Sequence, residues 1–256
     1  MSARIIFPGR RKVVFGLAAL AVGGVPSVSA GGRLMLSTGM IEPWTKSDGT
    51  GFHQILVAEV FSRLGMTVEL DVNLASSRAF RLADEGVTDG LAGRVAGVEK
   101  DYANLIPVPE PMFVNDFVAC SLTGDAAPAN WAGLAPHSVA YIIGWQIFDR
   151  NLPKVRELTQ VKDSAQLLGL LKAGRAEIIL HERWQALWQA KAMGMTLRVH
   201  EPPLARVPMY IYLHRRHAAL VEPAAAELRR MKADGSYLAI AQRVFGGLGP
   251  VTTGLK

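Results

Sequence analysis

Residues 76–113 read SSRAFRLADEGVTDGLAGRVAGVEKDYANLIPVPEPMF. The run predicts a short helix over Ser76–Glu85, a turn at Gly86 and a strand over Val87–Ala92. Gly93-Arg94 and Gly97 follow as a glycine loop, then Leu105–Val108 and an exit through Pro107, Pro109 and Pro111. A helix, a strand and a glycine loop in that order are how an open α/β sheet presents a site, with the ligand beyond the carboxyl ends of the strands. Arg78, Arg94 and Lys100 would make that mouth favourable to anions, because a guanidinium forks onto a carboxylate.

Upstream, Arg33–Ser37 is a short strand and Thr38–Trp44 a turn. Gly51–Leu64 has Val57, Val60, Phe61 and Leu64 on one helical face, and Gly65 ends it. Met66–Val72 alternates as a strand does. The first part is therefore β-α-β-α-β, which implies parallel strands with helices packed on them. After the prolines the same logic repeats without sequence repetition. Strands are expected at Asn115–Leu122, Ser138–Ile143, Thr159–Val161, Glu177–Leu180 and Leu197–His200. Helices are expected at Gln146–Leu152, at Ala165–Ala173 behind an Asp163-Ser164 cap, and at Glu182–Met193. Pro202-Pro203 marks a break; Met209–Leu213 is a strand, and His217–Lys232 and Tyr237–Phe245 are helices.

Half of the 256 residues are apolar and a fifth charged, which fits a packed protein and argues against disorder. The formal charge is +6. Four of the cations, Arg4, Arg10, Arg11 and Lys12, fall in the first thirty residues, which hold no acid, so the remainder carries about +2. The Lys and Arg of the body are scattered, not striped, so no nucleic-acid partner is expected. Residues 1–30 read as a secretory signal: a basic start, the apolar run Val13–Val22, and small residues ending at Ala30. The expected location is the periplasm. Cys120 is the only cysteine, so no internal disulfide forms. The six histidines show no metal-ligand spacing, there is no nucleophile elbow and no phosphate-binding glycine loop, and no metal or cofactor is expected.

The order of these pieces resembles the periplasmic solute-binding proteins of family 3, the amino-acid type of ABC-transporter binding protein. The matching pieces are the leader, Pro43-Trp44, Gly51–Gly65, Gly86–Asp89, Val139–Gly144, Leu167–Glu182 (LLGLLKAGRAEIILHE) and Leu228–Ala241. Asp89–Gly97 and Asn104–Pro111 are similar to a subgroup of such proteins. The resemblance implies an α/β, two-lobe, type II periplasmic-binding fold with a hinged cleft. Residues 31–115 would form the first lobe, 116–205 the second, and 206–256 would return to the first. It also implies a monomer that captures a small polar or anionic solute, amino-acid-like or a carboxylate, and delivers it to the membrane subunits of an ABC importer. An enzyme like cyclohexadienyl dehydratase, with Glu99 or Glu182 as general acid, and an orphan sensor are the alternatives.

The expected ligand-binding residues are Trp44 and Phe113 as aromatic faces, Arg78 and Arg94 as anion anchors, Gly144, Trp145 and Gln146 at a strand-to-helix turn, and Glu182 as partner for an ammonium group. Typical amino-acid binders carry Thr-x-x-Arg after the first-lobe loop. Here the corresponding residues are Gly97-Val98-Glu99-Lys100, so a carboxylate would fall to Arg94 or Arg78.

Overall fold

The computed structural model describes residues 31–72, 76–124 and 128–251. The expected signal segment, residues 1–30, lies outside them. The strands are β1 (Arg33–Thr38), β2 (Thr67–Val72), β3 (Gly90–Val95), β4 (Leu105–Pro107), β5 (Phe113–Ser121), β6 (Ser138–Ile142), β7 (Glu157–Val161), β8 (Ile178–Glu182), β9 (Arg198–Val199) and β10 (Ala205–His214). The helices are α1 (Phe52–Ser62), α2 (Ser76–Asp84), α3 (Gln146–Asn151), α4 (Ser164–Lys172), α5 (Arg183–Ala192), α6 (Val221–Asp234) and α7 (Ser236–Phe245). Short 3-10 turns fall at Val98–Lys100, Ala132–Leu134 and Arg215–Leu220.

The strands run in the order β2-β1-β3-β10-β5-β8-β6-β7, with β4 on β10 and β9 on β5. At one end β1 pairs in parallel with β2 and β3, and at the other β6 pairs in parallel with β7 and β8. Two α/β lobes are thus joined through the antiparallel strands β5 and β10. Phe113–Phe117 pairs with Ala205–Met209 of β10, and the rest of β5 runs on to pair with β8. The far half of β10 pairs with β3 and β4. Each long strand therefore belongs to both lobes, and their shared segment is the crossing between them.

Both faces of each lobe are apolar, as helices on two sides of a sheet require. In the first lobe α1, α6 and α7 cover one core, with Phe52, Phe61, Leu228 and Phe245 buried. On the other face α2 packs Ala79 and Ala83 against Leu91 and Tyr212. In the second lobe α4 and α5 cover Val118, Cys120 and Ile179. Phe148 of α3 covers Leu180, Val139 and Tyr141. Asp163 caps α4 by accepting from the Gln166 N–H at 2.8 Å, as its sequence position predicts.

Two differences from the sequence expectation bear on the site. The strand expected at Val87–Ala92 begins at Gly90 and runs to Val95, so Arg94 lies inside it, opposite Tyr210, not at a loop mouth. Gly86–Asp89 is consumed by the turn out of α2, whose backbone N–H groups at Val87 and Thr88 return to the Leu82 carbonyl. Gly93 makes the strand possible there: its φ is +70°, and a Cβ would fall 2.7 Å from the His53 ring. The second difference is β10, which extends from Met209 back to Ala205 through Pro208.

Candidate functional site

Both lobes wall a cavity of about 740 Å3 over the crossing strands. From the first lobe come Gly39, Met40 and Ile41, in the turn after β1, and Val95 at the end of β3. The crossing strand β5 supplies Asn115 and Phe117. The second lobe supplies Ile142, Gly144, Trp145, Gln146 and Ile147 after β6, then Lys162, Asp163 and Ser164 at the start of α4, and Glu182 and Gln185 at the start of α5. The ends of β1, β3, β6 and β8 all point into it, the position that open α/β sheets use for ligands.

Strand alternation explains the floor. Phe113, Asn115 and Phe117 share one face of β5. Phe113 is sunk in the first-lobe core and Phe117 packs in the second. Asn115 lies between them and is 5% exposed. Its Oδ1 has no hydrogen-bond partner among the described residues. Asp116 faces the other way and holds Arg206 of β10 at 3.1 Å and Arg183 of α5 at 3.3 Å.

Trp145 forms the aromatic wall. It stacks on Phe148 with ring planes 1° apart at 5.6 Å and meets Phe117 edge to face at 5.9 Å. His181 packs against its edge at 4.9 Å. His181 is buried, which lowers its imidazole to about 4 and keeps it neutral. Its Nδ1 stands 3.1 Å from the Glu182 carbonyl, which can only accept, so Nδ1 carries the proton. Nε2 is then an acceptor, and Ser164 Oγ donates to it at 2.7 Å. The Ser164 proton is thereby committed, and its lone pairs remain for the cavity.

Glu182 is fully buried at the start of α5. It caps the helix: the N–H groups of Trp184 and Gln185 donate to its two oxygens at 3.1 and 2.9 Å. Trp44 Nε1 donates to the second oxygen at 2.9 Å. Burial pushes the carboxyl up to about 7, and the three donors pull the other way.

The expected site residues separate into two groups. Gly144, Trp145, Gln146 and Glu182 wall the cavity. Trp44, Phe113, Arg78 and Arg94 are not among its lining residues. Trp44 is fully buried, 4.2 Å from Phe113 and 5.0 Å from Phe245 between ring centroids. Arg78 is exposed on α2. Arg94 is 9% exposed; its guanidinium lies 4.9 Å over the Phe80 ring and against Gly39, where a Cβ would come within 3.0 Å of Nη1. Burial lowers it to about 10, so it stays charged. Glu99 accepts from Tyr212 Oη at 2.9 Å and from the Gly97 N–H at 3.2 Å, and it too is not among the lining residues. Asn115, Phe117 and Ser164 were not expected in the site: a lone Asn in an apolar strand carries no pattern, and Ser164 reads as part of a cap.

Among the described residues no group of three or more His, Cys, Asp or Glu is placed to hold a metal ion. No described helix is long and apolar enough to cross a membrane.

No family model matches the chain. An uncharacterized protein of Shewanella oneidensis is 22% identical over 197 residues, 72% of each chain. Among solved structures, an ancestral cationic amino acid solute-binding protein superposes with a TM-score of 0.68 at 21% identity, over 84% of this chain and 96% of its own. The GluR0 ligand-binding core in complex with L-glutamate gives 0.68 at 16% identity, over 85% and 98%. At these identities the likeness speaks for the fold: the chain has the two-lobe, type II fold of the periplasmic solute-binding proteins, as the order of its sequence motifs implied.

Proposed function

We propose that the protein captures a small solute between its lobes by hinge closure, in the periplasm, and presents the closed form to the membrane subunits of an ABC importer. The observation that carries the reading is the 740 Å3 cavity walled by both lobes, with the shared strand β5 at its floor. A ligand touching both walls favours the closed arrangement by the free energy of those contacts, which is how binding shifts such an equilibrium. The volume lies within the range of small-molecule sites. The solved structures of like fold include amino-acid solute-binding proteins, which supports a small-molecule ligand.

A thermal-shift screen of amino acids, small carboxylates, polyamines and neutral aromatic amides tests this. A cognate ligand at a hundred times its dissociation constant adds about 2.7 kcal/mol of stability. A ligand that raises the melting temperature and reduces the radius of gyration in solution scattering supports capture. Ligand binding with an unchanged radius of gyration contradicts closure.

A further inference from the structure

Ser164 and His181 form a pair that capture does not use. Ser164 is the first residue of α4, half-buried and part of the cavity wall. His181 lies in β8, fully buried, its ring 4.9 Å from that of Trp145. The Glu182 carbonyl, 3.1 Å from Nδ1, fixes the proton on that nitrogen, and Nε2 is left as a base 2.7 Å from Ser164 Oγ. Burial holds the imidazole at about 4, so at neutral pH it is unprotonated. A hydroxyl on a cavity wall, a neutral imidazole within hydrogen-bond reach and a third group that orients the ring make the arrangement that activates a serine. The surroundings suit an acyl group. Asp163 Oδ1 and Oδ2 accept from the backbone and side-chain amides of Gln166, and the Leu167 N–H returns to the Asp163 carbonyl. The N–H groups of Ser164 and Ala165, at the positive end of the helix, have no intrahelical acceptor and are the donors that such an end offers an oxyanion. Ile142, Trp145 and Ile147 give an apolar wall for the acyl chain.

Going beyond capture, we propose that the cavity is also a slow esterase site for small carboxylic esters, with Ser164 as nucleophile and His181 as general base. The Ser164 proton passes to His181 Nε2 as Oγ bonds to the ester carbonyl carbon. The tetrahedral oxyanion collapses, the bond to the alcohol oxygen breaks, and the alcohol leaves with the proton from Nε2. Water then adds to the acyl-serine and gives a proton to Nε2. The Oγ–carbon bond breaks and Oγ takes that proton back, so the net change is ester and water to acid and alcohol. The group that orients His181 is a carbonyl, which supports an imidazolium less than a carboxylate does, so turnover is slow.

The test treats the full-length protein with a fluorophosphonate and, separately, with p-nitrophenyl butyrate. Peptide mapping by mass spectrometry should place the phosphonyl group on Ser164. Ser164→Ala should abolish that adduct and lower ester hydrolysis by about a hundredfold, the scale of an activated nucleophile with its base. His181→Phe keeps a ring against Trp145 and removes the base, so it should slow both reactions by about the same factor. A phosphonyl group found elsewhere with Ser164 unmodified, or no adduct at all, overturns the proposal. Mapping is done on the wild-type protein, so this result does not depend on how the variants fold. Hydrolysis at the wild-type rate by Ser164→Ala overturns it as well. Each of these outcomes leaves capture standing, which the melting and scattering measurements test on their own.

Discussion

Trp44 and Glu182 are 138 residues apart and meet through a buried 2.9 Å hydrogen bond, Nε1–H to Oε2, that ties the first lobe to the second. Around it, Trp184 of α5 stacks on Phe245 of α7 at 4.6 Å, and Lys46 lies 4.5 Å over the Trp188 ring. On this side the lobes share one apolar contact. Closure of the proposed kind would pivot about it.

Removing the donor leaves a buried carboxyl oxygen short of a partner. Trp44→Phe keeps most of the packing and deletes the N–H, so it should destabilise the protein by about 1–3 kcal/mol. Urea denaturation at pH 7 measures this. A midpoint unchanged from wild type would mean that the lobes do not depend on the bond.

Glu182 also carries a pH signature. Its carboxyl is raised to about 7 when folded, so between the ordinary carboxylate range and pH 7 the folded protein holds a proton that the unfolded chain has released. The contribution is full below the unfolded value and is lost as pH rises through about 7. Two and a half units correspond to roughly 3 kcal/mol at most. His53 and His181 act in the opposite sense: burial lowers them to about 3 and about 4, so their contribution is present above pH 6.5 and lost on acidification. Comparing wild type with Glu182→Gln in urea melts from pH 5 to 8 cancels the histidines. The difference between the two proteins should move with pH, with wild type losing ground to the variant as pH rises. A difference that is flat across the range contradicts the assignment.

Asp116 fastens the crossing strands from the side away from the cavity. It is 2% exposed and pairs with Arg206, its register partner on β10, and with Arg183 on α5, which also holds Glu201 at 2.7 Å. Asp116→Leu leaves the largely buried Arg183 without its interior partner, which should cost about 3 kcal/mol. The loss should appear as a lower urea midpoint at an unchanged slope. Retention of wild-type stability would make the ion pairs incidental.

Asn115 should behave in the opposite way. An unmet buried acceptor destabilises the free protein by about 1–3 kcal/mol relative to a well-packed apolar side chain. Asn115→Leu should therefore raise the melting temperature of the ligand-free protein. A fall would show that the amide has a structural partner.

Much of this architecture is written in local pattern. Helical period places α1, and glycine or Asp caps place the ends of α1 and α4 to within two residues. Alternation in Met66–Val72 places β2, though as an edge strand it buries little. Only the first half of β10 was hidden: the strand expected at Met209–Leu213 runs back to Ala205 through Pro208, which carries no N–H and reads as a breaker but is paired with Val114 of β5. The site was half legible. The 144–146 turn and Glu182 stand at strand ends, which sequence can mark. The destination of Trp44 is not local: only the packing of α5 on α7 brings Glu182 to its Nε1. Asn115 and the Ser164–His181 pair depend on hydrogen-bond accounting across three elements, which no spacing encodes.

The most direct measurement is a distance across the cleft mouth. Glu42 and Ile143 are exposed, one on each lobe and neither lining the cavity, and the buried Cys120 will not label. Spin labels on Glu42→Cys and Ile143→Cys report the separation of the lobes by pulsed dipolar spectroscopy. With any compound that raises the melting temperature, the account predicts a single shorter distance, reduced by more than about 2 Å. A bound ligand with the ligand-free distance distribution unchanged would contradict capture by closure.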